Sequence, residues 1–74
     1  MKKLSEFKNT GTVKVINVKG DKALRILEMG ITPGVALSVM RAAPLGFPIE
    51  VKIRGYALTL RESEAECIEI ESGV

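Results

Sequence analysis

A chain of 74 residues is enough for one domain, and at that size about 60% of the unfolded chain's surface can be hidden. A hydrophobic content of 46% with 27% charged residues excludes a disordered polymer, and a net charge of +2 is too small for broad electrostatic capture of nucleic acid. The single cysteine, Cys67, excludes an internal disulfide, so the fold must hold by packing.

In chain order, the basic start Met1-Lys2-Lys3 is not followed by the apolar run of a secretion signal, and no stretch approaches the roughly 20 apolar residues of a membrane helix. No repeat, linker or low-complexity segment divides the chain, so residues 1–74 are expected to form one domain. Leu4 to Phe7 form a short lead-in whose Leu4 and Phe7 can close one end of the core, and Asn9-Thr10-Gly11 is a turn. Thr12 to Val18 is rich in β-branched residues and changes phase between Val15 and Ile16, which predicts a strand with a bulge or sharp bend. After Lys19-Gly20, Asp21 is suited to cap a helix over Lys22 to Met29, with Ala23, Leu24, Ile26 and Leu27 as its apolar stripe. Gly30 suits a Schellman stop, with Ile31 folding back onto Ile26.

Thr32-Pro33-Gly34 turns into a second strand, Val35 to Arg41, and Pro44-Leu45-Gly46-Phe47-Pro48 must be a loop. Ile49 to Arg54 and Tyr56 to Arg61 alternate on either side of Gly55 and read as a tight hairpin. Arg61 to Glu66 predicts a helical turn capped by Ser63, and Cys67 to Glu71 a last strand. The sum is an all-β chain, a small SH3-like barrel of five strands with one short inserted α-helix and a helical turn before the last strand.

The residue inventory argues against an enzyme. There is no histidine, hence no general base near neutral pH, no activator for Ser5, Ser38, Ser63, Ser72 or Cys67, and no imidazole metal ligand. No phosphate-binding loop is present, and no cofactor is implied. Cys67, Glu69 and Glu71 alternate and are weak metal candidates, since residues two apart along a strand lie about 6.6 Å apart and converge poorly on one ion. Glu50, Lys52 and Arg54 read as a solvated face. Arg41, Arg54 and Arg61 could make a basic patch, but with only Phe7, Phe47 and Tyr56 as aromatics, of which Phe7 and Tyr56 read as core, RNA stacking has little support. Leu45 and Phe47 either fold over the barrel end or meet a partner, and Met29 and Met40 admit the same two readings.

The string Leu27-Glu28-Met29-Gly30-Ile31-Thr32-Pro33-Gly34 resembles the signature of the FeoA family. Arg41-Ala42-Ala43-Pro44-Leu45-Gly46, Pro48-Ile49-Glu50-Val51, Arg54-Gly55-Tyr56 and Leu60-Arg61 are similar to that family's second half. Phe47 departs from it, standing where the family commonly has a polar residue. The resemblance implies an SH3-like fold and a cytoplasmic accessory role in bacterial ferrous iron uptake. The partner it implies is FeoB, a membrane iron permease with a cytosolic GTP-binding domain, which would hold the protein at the inner face of the membrane.

Arg25, Met29, Leu45, Phe47 and Arg54 are the expected docking residues, because they fall outside the clear core stripe and interfaces favour Met, Phe and Arg. The alternatives are a metal-responsive SH3-like module that binds a transition metal directly and a small nucleic-acid-binding barrel. Self-association is left open.

Overall fold

The computed structural model describes residues 2–7, 10–42 and 46–71. Six strands, not five, form one antiparallel sheet: β1 (Lys2–Lys3), β2 (Gly11–Val18), β3 (Ala36–Ala42), β4 (Ile49–Ile53), β5 (Tyr56–Leu60) and β6 (Ile68–Ile70). Their order is β1-β6-β2-β3-β4-β5. The extra strand is the two lysines before the lead-in, which pair with Ile70 and Glu69 although nothing in their side chains favours a strand. Two short helices are inserted, α1 (Ala23–Glu28) and α2 (Glu62–Ala65), and Leu4–Glu6 makes a 3-10 turn.

The phase change in the first long strand is a real irregularity. Gly11 to Lys14 of β2 pair with β3, whereas Val15, Asn17 and Val18 pair with β6, and the register shifts between Val15 and Asn17. One strand thereby serves both halves of the sheet. A second shift lies between Val39 and Arg41 in the β3–β4 pair. Side chains from both halves, including Val13, Val15, Leu37, Val51, Ile53, Leu60, Ile68 and Ile70, fill one core. Leu4 is fully buried and Phe7 packs against this core, as the lead-in reading required.

Helix α1 is shorter than periodicity predicts, and its first-turn cap is Lys22, which makes no side-chain bond; Asp21 lies in the preceding turn. Only Ile26 of the expected stripe is buried. Leu24 is 70% exposed and Leu27 36%, because a six-residue helix presents little more than one side chain to a sheet that Ile31 already covers. The stop at Gly30 is a Schellman motif: Ile31 N–H donates to the Ile26 carbonyl at 3.3 Å and Gly30 N–H to that of Leu27 at 3.0 Å, with Gly30 at φ 99°. Tyr56 is not core but 43% exposed, and its hydroxyl donates to the Met29 carbonyl, tying the helix end to the β4–β5 hairpin.

Helix α2 is capped by Arg61 and not by Ser63. The Glu64 carboxylate reaches back to accept the Arg61 N–H at 2.9 Å, satisfying a donor that the helix leaves orphaned. The last strand begins at Ile68, one residue later than predicted, because Cys67 closes α2 by donating its N–H to the Glu64 carbonyl. None of the described helices is long and apolar enough to cross a membrane.

Gly30 carries two demands at once, a left-handed backbone and close approach to Tyr56, whose hydroxyl oxygen would lie 2.5 Å from an added Cβ. Gly30→Ala should therefore cost about 1–2 kcal/mol through backbone strain. A further contribution of about 1 kcal/mol should come from eviction of the Tyr56 hydroxyl from its acceptor. In a Tyr56→Phe background only the first contribution should remain, as read from the denaturation midpoints of the four proteins. Equal losses in both backgrounds would show that the hydroxyl is not displaced.

Candidate partner-docking site

Between α1, α2 and the segment leading into β4 lies an open groove of about 860 Å³. Helix α1 supplies Met29, Arg25 and the preceding Lys22; the segment before β4 supplies Phe47 and Pro48; β5 supplies Thr59; and the cap and first turn of α2 supply Arg61 to Glu64. Met29 and Phe47 are half-buried and pack against the core, so the groove has an apolar floor continuous with the protein interior. Phe47 thus both packs against the core and lines the groove.

The rim is ionic and partly self-neutralised. Glu64, only 7% exposed, accepts the Arg61 N–H through one oxygen, and its other oxygen lies 3.5 Å from Arg25 Nε. The pair is asymmetric, since the Arg25 side chain is 74% exposed, and screening by water keeps its contribution small. Its structural effect is clearer: a buried carboxylate is matched, and the Lys22 and Arg61 side chains remain exposed at the mouth. Thr59 and Ser63 are the hydroxyls of the groove, and with no histidine in the chain neither has an imidazole base. The arrangement can accept a large apolar side chain beside an anionic group.

Of the residues predicted for docking, the structure brings Arg25, Met29 and Phe47 together in this groove. Arg54 does not line it; it occupies the β4–β5 turn, exposed and with φ 46°. Leu45 lies outside the described residues, as does the side chain of Arg41. Lys22, Arg61 and Glu64 were not expected here. The Arg61 to Glu64 spacing is that of a capping box, but arginine is not a capping residue, which hid the signal.

The metal candidates are dispersed. Cys67 packs its half-buried thiol against the core and donates it to the Ser63 carbonyl at 3.5 Å, Glu69 is paired with Lys19 at 3.2 Å, and Glu71 is exposed. Among the described residues no three acidic or cysteine side chains are gathered where they could hold an ion.

Comparison with known proteins bears on what such a groove serves. The family model described as the FeoA domain matches residues 2–72. The Fe(2+) transport protein A/Fe(2+) transporter FeoB fusion protein of Porphyromonas gingivalis is 35% identical over 71 residues, covering 93% of this chain and 8% of that protein. The chain therefore spans less than a tenth of that curated relative. The FeoA-like protein from Clostridium acetobutylicum superposes with a TM-score of 0.87 at 38% identity, covering 95% of this chain and 84% of the other. Stenotrophomonas maltophilia FeoA, complexed with zinc and described as a procaryotic SH3 domain protein, superposes with a TM-score of 0.83 at 25% identity, covering 96% and 91%. With the family model matching nearly every residue and these relatives agreeing in sequence and fold, the chain belongs to the FeoA domain family.

Proposed function

We propose that the protein is a cytoplasmic accessory component of bacterial ferrous iron uptake, which docks through the α1–α2 groove onto the cytosolic GTP-binding part of a FeoB-type permease and modulates transport. The observation that carries this reading is the P. gingivalis relative, in which a domain similar to this chain is joined to a FeoB transporter. Fusion raises the effective concentration of two modules that meet. Where two such modules are not fused, a surface must do the same work by affinity, and the groove, with its apolar floor of Met29 and Phe47 and cationic rim, is suited to it. No bond need be made or broken by the protein itself. The FeoA fold is a transport-associated domain, and the role proposed here is binding.

Calorimetric titration of the permease's cytosolic domain with this protein tests the site. Phe47→Ala should cost at least about 2 kcal/mol of binding if the ring is a central anchor, whereas Arg25→Ala, at the exposed rim, should cost less than about 1 kcal/mol. Thermal melts of both variants separate anchor from lid. Should Phe47→Ala lose stability while its folded fraction binds normally, the docking surface lies elsewhere.

A second reading, a metal-responsive module, draws support from the zinc complex of S. maltophilia FeoA. The dispersal of Cys67, Glu69 and Glu71 weighs against direct metal sensing through those residues. Anaerobic titration of the isolated protein with ferrous iron should give only weak binding, as expected without histidine and with one thiol. Stoichiometric, sub-micromolar binding that disappears in Cys67→Ser would reverse the ranking of the two readings.

A further inference from the structure

The charges of the groove are unequal once their partners are taken into account. Three cations line it, Lys22, Arg25 and Arg61, with two acids, Glu62 and Glu64. Glu64 is buried and commits one oxygen to the Arg61 N–H and the other to Arg25 Nε, so its charge is spent inside the protein. Arg25 gives up only one edge. With Nε at Glu64 and the side chain 74% exposed, the terminal nitrogens of its fork remain in water. Lys22 and Arg61 are exposed and enter no ion pair among the described residues.

The apolar floor decides what those cations need. Met29 and Phe47 pack against the core, and a large side chain that covers them displaces water from the rim beside them. A neutral or basic segment would leave the cations dehydrated and unmatched, which costs free energy, whereas a carboxylate supplies charge-assisted hydrogen bonds in place of the lost water. With Glu62 at the same rim, the groove carries one positive charge in excess. A single carboxylate matches that excess; a phosphate, with close to two negative charges, overshoots it and meets Glu62. The hydroxyls of Thr59 and Ser63 are placed to serve the backbone of an extended segment.

We infer, on the docking reading above, that the segment seated in the groove belongs to the permease's cytosolic part and carries one large apolar side chain with a carboxylate beside it. The apolar side chain covers Met29 and Phe47, and the carboxylate meets Lys22, Arg61 and the free edge of Arg25. Glu64 acts through Arg25: by holding the guanidinium at Nε it reduces the rotamer freedom lost when the carboxylate arrives.

Calorimetric titration of the permease's cytosolic domain with the full chain, at about 50 mM and about 500 mM sodium chloride, reads the charge of the partner through its screening. For the parent chain the dissociation constant should rise about tenfold with the added salt. Lys22→Gln/Arg61→Gln keeps the backbone N–H that Glu64 accepts; it should bind about tenfold more weakly at low salt and respond to salt by less than about threefold. Glu62→Gln removes the unspent acid and should bind about twofold to threefold more tightly at low salt, a gain that no loss of folding produces. Thermal melts check that both variants stay folded. Binding that needs Phe47 yet is unmoved by salt and by both charge variants overturns the carboxylate and leaves the docking reading standing. Tighter binding by Lys22→Gln/Arg61→Gln overturns it in favour of a basic segment. No binding at either salt concentration, or binding that folded Phe47→Ala leaves unchanged, overturns the docking reading and the inference with it.

Discussion

The register shift at Val15 to Asn17 in β2 is the constraint on which the remaining architecture rests. In a β2 without the bulge, strict alternation from Val13 and Val15 would turn Asn17 toward the core and Val18 away from it. The extra residue at the bulge bends the strand and resets the alternation. Val13 and Val15 before the bulge and Val18 after it then all pack on the core formed by Leu37 and Val39 from β3 and Ile68 and Ile70 from β6. For a chain this small, with no disulfide to help, that shared core is the main source of stability.

The helix follows from the same economy. Helix α1 is held by Ile26 in the core, by the Schellman turn through Gly30, and by Tyr56 gripping the carbonyl of Met29. Those three attachments concentrate at its C-terminal end. Leu24 is thereby left in solvent and Arg25 is aimed at Glu64 of α2, which closes the far side of the groove. The Glu64 carboxylate is thus a structural charge, matched by a backbone N–H and a guanidinium, and leaves the exposed cations of the rim available to a ligand.

Much of this protein could be read from residues in a row. The β-branched run with its phase change, the Gly30 stop, the hairpin around Gly55 and the helical turn before the last strand are local signals, governed by backbone conformation over a few positions, and each has its counterpart in the structure. Of the residues singled out for lying outside the core stripe, Arg25, Met29 and Phe47 line the groove, whereas Arg54 does not. Tertiary structure decided what depends on distance in space. Periodicity made Leu24 and Leu27 equivalent to Ile26, and only the angle at which α1 meets the sheet chose Ile26. It likewise took the fold to pair Lys2-Lys3 with β6, to lift Tyr56 out of the core and onto Met29, and to set Glu64 between Arg61 and Arg25. Such pairings join residues that are far apart in the chain or unremarkable in type, so no local pattern records them.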